Sequence, residues 1–182
     1  YKTLVYGDRE WMIENLKTSI GDFSTLNEAE NFDQILYPDS IGYYYSGSDI
    51  NSCCPEGWHV PTVEEWQELH QEIYGTPLNP NGFTNASVDG YDDNNYKLLW
   101  NINEGGTNQS FFNLFSSGKL GGGSIYAPDN QANFVTSSPS GNSYWIVNIF
   151  NGSNGTGNEN WGFDIGNGGG TYYKSQIRCV KD

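Results

Sequence analysis

The sequence predicts an α+β domain. One stretch carries complete helix start and stop signals, and the chain after it breaks into short β-rich runs separated by Gly-, Asn- and Ser-rich turns. No fixed-period repeat connects its parts, which disfavours solenoids and propellers. A helix early and an antiparallel meander late make α+β, where strict alternation would make α/β.

Short strands are expected around Leu4, Trp11 and residues 43–45, with room for a short helix over residues 25–36. The main helix is predicted over Val63–Tyr74. Thr62 can cap it with its hydroxyl while Glu65 reaches back to the amide of Thr62, a capping box. Glu64 and Glu65 suit the positive end of the helix dipole. Val63, Trp66, Leu69, Ile73 and Tyr74 recur at the spacing of one buried face. Gly75 ends the helix and Pro77 prevents it from resuming. Residues 76–95, rich in Pro, Gly, Asn and Asp, read as a long loop, and residues 96–100 as a helical or extended piece. Strands are then expected at 111–115, 134–136, 144–150, 161–165 and 174–180. Alternation in the last turns Ile177 and Cys179 one way and Gln176 and Arg178 the other. Glycines 121–123 and 168–170 lack the strand-to-helix context of a phosphate cradle and read as turns.

At 182 residues the chain is long enough for one core and short for two, so residues 1–182 are expected to form a single domain. Apolar residues are 36% and aromatic residues 15%, with 13 Tyr and 6 Trp, so large rings rather than aliphatic side chains must supply the core. Charged residues are only 16%, which leaves a surface of Asn, Ser, Thr and Gly, a composition found on loop-rich extracellular folds and recognition surfaces. Against 22 Asp and Glu there are 8 Lys and Arg, for a net charge of −14. That field opposes a phosphate backbone, and no basic stripe is present, so a nucleic-acid partner is excluded while divalent cations are not. No apolar run reaches the length of a membrane span, so direct membrane insertion is not expected. No signal peptide precedes the first strand, as expected of a mature or excised domain.

Three blocks carry a family pattern. Cys54-Pro55-Glu56-Gly57-Trp58-His59-Val60-Pro61-Thr62 leads into the helix, Trp11-Met12-Ile13-Glu14-Asn15-Leu16 stands near the start, and Ile177-Arg178-Cys179-Val180-Lys181-Asp182 closes the chain. Together they resemble the Fibrobacter succinogenes major paralogous domain, a family of secreted bacterial domains, in that family's order and across essentially the whole chain. The resemblance implies a C-type-lectin-like architecture with long loops, an extracellular or bacterial cell-surface location, and a disulfide between Cys54 and Cys179. The alternative to the disulfide is three reduced, buried cysteines in a cytosolic protein. Cys53 is left over, as a thiol, an intermolecular partner or a competitor of Cys54.

Catalysis has little support in the sequence, and a non-enzymatic role is expected. His59 and His70 have no partner at a metal-binding spacing and read as structural. No nucleophile elbow, phosphate loop or paired zinc motif is present. The implied fold class also contains the formylglycine-generating enzyme, which works through cysteines, but with Cys54 and Cys179 bridged no independent catalytic pair remains. Asp89, Asp92 and Asp93 cluster hard oxygen donors in one loop and are the candidate calcium ligands, against the alternative of a solvated acidic turn without EF-hand spacing.

For a ligand, residues 137–173 mix aromatic rings with small hydrogen-bonding side chains, as paratopes do. Asn158, Glu159, Asn160 and Trp161 resemble the way C-type lectins set Glu and Asn beside a Trp for calcium-dependent sugar binding, without reproducing a standard lectin triplet. Along 144–150, alternation places Trp145, Val147 and Ile149 on the core face and leaves Tyr144 and Asn148 exposed as contacts. The expected function is an adhesion or recognition module that binds a glycan or protein through its C-terminal loops. A spacer domain of a surface protein and, less favoured, an oxidase-like enzyme are the alternatives.

Overall fold

The computed structural model describes residues 1–20, 22–30, 38–47, 50, 52–75, 100, 101, 103, 106–127, 129–152, 160–167 and 172–182, and at 26, 38, 151, 152, 160–164, 166 and 167 the backbone alone. Strands β1 (Thr3–Tyr6) and β2 (Arg9–Met12) form a hairpin, followed by β3 (Phe23–Ser24), a 3-10 turn at Leu26–Glu28, the short helix α1 (Pro38–Ile41), β4 (Tyr44–Tyr45) and β5 (Trp58–His59). Helix α2 (Val63–Tyr74) comes next, then β6 (Lys119–Gly121), β7 (Ser124–Tyr126), β8 (Gln131–Ser140), β9 (Ser143–Gly152), β10 (Asn160–Asn167) and β11 (Val180–Lys181). The fold is mixed α and β, with every pair of named strands antiparallel.

Helix α2 has the ends its sequence specifies. Thr62 Oγ1 accepts from the Glu65 amide at 3.1 Å, Glu65 Oε2 accepts from the Thr62 amide at 2.8 Å, and Gly75 ends the helix at φ 72°. Its inner face carries Trp66 and Leu69 into a core with Trp11, Trp100, Phe112 and Phe134. Trp66 meets Trp11 edge-on with centroids 5.0 Å apart and lies 5.2 Å from Phe134. A second cluster gathers Met12, Leu16, Tyr45, Val60, Val135 and Ile177 around Cys179.

The first sheet has the order β1-β2-β11-β5, so the last strand is inserted between two early ones. Val180 pairs with both Trp11 and His59. The Cys54–Cys179 disulfide, with Cα atoms 6.0 Å apart, staples the turn before β5 to the residue before β11. The three family blocks of the sequence thus meet in one sheet. The second sheet, β10-β9-β8, packs its Val147 and Ile149 on the main core.

Several expectations are corrected. Residues 111–115 are not a strand. Leu114 makes one isolated bridge with Trp100, and Phe111 and Asn113 have φ near 59°, outside the β region. The structure places a 3-10 turn at Leu26–Glu28 and a helical turn starting at Pro38, a residue whose fixed φ suits a first helical position. Alternation fails to separate inside from outside in the last run, because Gln176, Ile177, Arg178 and Cys179 are all buried. The glycine turn at 121–123 is flanked by β6 and β7, which the sequence reading did not anticipate.

Three core tyrosines donate their hydroxyls to backbone carbonyls: Tyr6 to Ser110 at 2.7 Å, Tyr44 to Ser117 at 2.6 Å and Tyr45 to Thr18 at 2.9 Å. Burial pushes Tyr6 and Tyr45 up to about 12 and Tyr44 higher still. Folded-state values above the ordinary value of 10.0 mean that the folded chain holds the extra protons between those limits. The associated stability is intact below about pH 10 and is lost as pH rises through about 12. Urea unfolding should therefore show a falling midpoint across that window. A flat midpoint, with all phenols ionising in one step at their ordinary pKa, would contradict it.

Candidate functional site

The hairpin β6–β7 turns through Gly122 at φ 56° and Gly123 at φ 85°, which favour glycine. At Gly121 a Cβ would lie 2.6 Å from the Tyr173 ring. Glycine here therefore admits close approach of a ring that a larger residue would push away. The segment carrying that ring is fixed by Leu120 and Lys174, which exchange backbone hydrogen bonds of 2.9 and 2.8 Å. Lys174 is in turn paired with Asp22 at 2.6 Å.

On this support sit three tyrosines. Tyr173 is half-buried and meets Tyr126 edge-on at 5.5 Å and Tyr172 edge-on at 4.9 Å. Tyr126 and Tyr172 remain 43% and 58% exposed, which makes them large rings held in place while still open to solvent. Lys119 lies 4.4 Å over the Tyr173 ring, and burial lowers its pKa. The neighbouring Tyr172, ahead of burial, raises the Tyr126 phenol. Tyr144 reaches the same patch. It and Tyr173 line a depression of about 10 Å³ with Gly47, Ser143 and Ser175, room for no more than about one water.

The sequence-predicted ligand residues are only partly assembled. Tyr144 is half-buried against the second core cluster rather than exposed, because β9 is the middle strand of its sheet and both of its faces are packed. Its face-mate Ile146 is buried, and Asn148 is half-buried and accepts at 2.5 Å from Asn133 Nδ2. Asn160 and Trp161 belong to β10, but their side chains, like Asn158 and Glu159 as a whole, lie outside the described residues. So do the calcium candidates Asp89, Asp92 and Asp93. Among the described residues no group of three or more His, Cys, Asp and Glu is placed to hold a metal.

Sequence reasoning missed Tyr126 and Lys119, and placed Tyr173 only as the end of the candidate segment 137–173. The signal for the first was present: a three-glycine turn with Leu120 immediately before it and Ile125 two positions after it is a hairpin pattern. The contact of Tyr173 with that hairpin had no sequence signal, being a meeting of residues about 50 positions apart.

The histidines take structural positions. His59 Nδ1 is 2.6 Å from Asp182 Oδ1 and Nε2 is 2.9 Å from Glu65 Oε1, so both ring nitrogens are occupied. Glu65 also pairs with Arg9 at 2.8 Å, tying α2, β2 and the chain end together. His70 is buried against the Tyr74 ring. Cys53 is buried, outside the disulfide, with its sulfur 3.6 Å from the Ile50 carbonyl oxygen.

These features define a disulfide-stapled α+β domain with an exposed tyrosine patch on a fixed glycine hairpin. The family model of the Fibrobacter succinogenes major domain matches residues 4–181, and the chain belongs to that family. No curated protein and no solved structure matches it.

Proposed function

We propose that this chain is a non-enzymatic, extracellular recognition or adhesion domain of C-type-lectin-like architecture that binds a glycan through the tyrosine patch. The observation that carries the reading is the trio Tyr126, Tyr172 and Tyr173 beside Lys119. Exposed aromatic faces stack on sugar rings, rigid tyrosines lose little entropy on binding, and an ammonium adds a polar anchor. Rings this exposed contribute little to folding, so their exposure together on a fixed support favours contact with a partner over a core role. The same patch would serve a protein ligand, and Asp89, Asp92 and Asp93 would ligate calcium if the binding requires it.

Glycan-array and pull-down screening of the domain is the test. Tyr126→Ala and Tyr172→Ala should each weaken capture by about tenfold. Their folding stability should stay within about 0.5 kcal/mol of the parent, as for surface substitutions. Capture of protein alone would reassign the ligand class. Absence of any reproducible ligand would leave the spacer reading, and unchanged capture by both variants would move the contact elsewhere.

A further inference from the structure

Arg178 is a buried cation with an incomplete set of partners. It is 2% exposed, within a run from Ser175 to Val180 that is buried throughout. Nε donates to Asn15 Oδ1 at 2.7 Å, Nη1 to the Phe112 carbonyl and Nη2 to the Asn113 carbonyl at 3.1 Å. All three acceptors are neutral, and the Phe112 ring 4.4 Å away adds only a face of π density. Among the described residues no carboxylate forms an ion pair with it. A guanidinium has five N–H donors, so these bonds leave one on each Nη. Burial lowers its pKa to about 9, opposed by Tyr6 and Glu14, so the charge is present at neutral pH.

The same residue lines a pocket of about 190 Å³. Arg178, Asn15 and Phe115 form its buried part, while Lys17 and Asp39 are exposed at the rim. Asn113 also lines it, at φ 59°, and Asn108 and Phe111 in the same segment have φ of 47° and 59°. Three non-glycine residues in the left-handed region within one short segment concentrate backbone strain of the kind held at ligand sites. Here it is held by Asn108 Oδ1 accepting from the Asn113 amide at 2.9 Å and by Asn101 Nδ2 donating to Asn113 Oδ1 at 2.6 Å, in addition to Arg178.

We infer that this pocket binds a small ligand through a single carboxylate, which faces the Arg178 guanidinium and is assisted by Lys17 at the rim. Its volume is below the roughly 300 Å³ of pockets for drug-sized molecules and suits one sugar acid or one peptide C-terminus. Glu14, which lines the pocket, and Asp39 at its rim repel a polyanion, so phosphorylated or sulfated chains are disfavoured. None of these residues belongs to the tyrosine patch, so the pocket neither rests on the glycan reading nor fails with it.

The test is a titration of isotope-labelled protein, followed by amide NMR, with methyl glucuronide and N-acetylglycine. Methyl glucoside and N-acetylglycinamide are the neutral matches. Saturable shifts at Asn15 and Asn113 are expected with a carboxylate and absent with its neutral match. A response to glucuronide alone identifies a sugar acid, to N-acetylglycine alone a peptide terminus, and to both a site for which the carboxylate suffices; each supports the proposal. Because Arg178 also holds the fold, the variants are placed at the exposed rim. Lys17→Glu should weaken binding about threefold and Asp39→Lys should strengthen it by a similar factor, as exposed charges do. The proposal is overturned if neither carboxylate gives saturable shifts at tens of millimolar, if the neutral matches act equally, or if both rim variants bind like the parent.

Discussion

Loss of the Cys54–Cys179 disulfide should lower folding stability by about 4 kcal/mol. The bridge closes a loop with a sequence separation of 125. Chain-entropy arguments put such a closure near 5 kcal/mol, and removal of native bridges costs about 2–5. Cys179 is fully buried, and the segments that the bridge joins are paired through Val180 with His59 and Lys181 with Trp58. The staple therefore constrains the unfolded chain chiefly, by keeping β11 close to its insertion point between β2 and β5. Urea unfolding with and without reductant, in a Cys53→Ala background to prevent thiol exchange, measures the effect. Coincident curves would mean that the bridge is not formed or does not restrict the unfolded chain.

Trp66→Ala should cost about 3–5 kcal/mol, the range for a fully buried large aromatic. Trp66 has no exposed surface and is the point where α2 meets Trp11, Phe112 and Phe134, at centroid distances of 5.0, 6.0 and 5.2 Å. Such pairs contribute beyond the area they bury. In a chain of this length the melting temperature should fall by about 10 °C. Trp145, which packs only half-buried against the same core, should cost less when truncated. A Trp66→Ala protein within about 1 kcal/mol of the parent would show that α2 is not held through this ring.

Helix α2 was legible residue by residue because its determinants are local. The capping box spans four residues, the apolar face repeats within twelve, and Gly75 ends it; nothing distant is needed to set them. The strands of β8–β10 were legible as to existence and approximate place, since β-rich runs bounded by turn residues carry their own signal. Which side of them faces water was not. Alternation assigns two faces but cannot say that both are covered, and β9 has Val147 and Ile149 in one core while Tyr144 and Ile146 pack on other residues. The Phe-rich run 111–115 misled for a related reason. Its apolar character belongs to core burial of Phe112 and Leu114, while side-chain amides and Arg178 hold its backbone in conformations outside any strand.

By itself the sequence determined the α+β class, the helix with both its ends, the aromatic source of the core and, through its three family blocks, the family and the cysteine pair. Only the tertiary structure decided that those blocks meet in one sheet with the last strand inserted between earlier ones. It alone also brought Tyr173 onto a glycine hairpin beside Tyr126, and a buried Arg178 to the wall of a pocket. The division has one physical reason. Caps, periodicity and turns are set by interactions within a few residues, whereas a site is made where segments distant in the chain share a surface, and that depends on how the whole core closes.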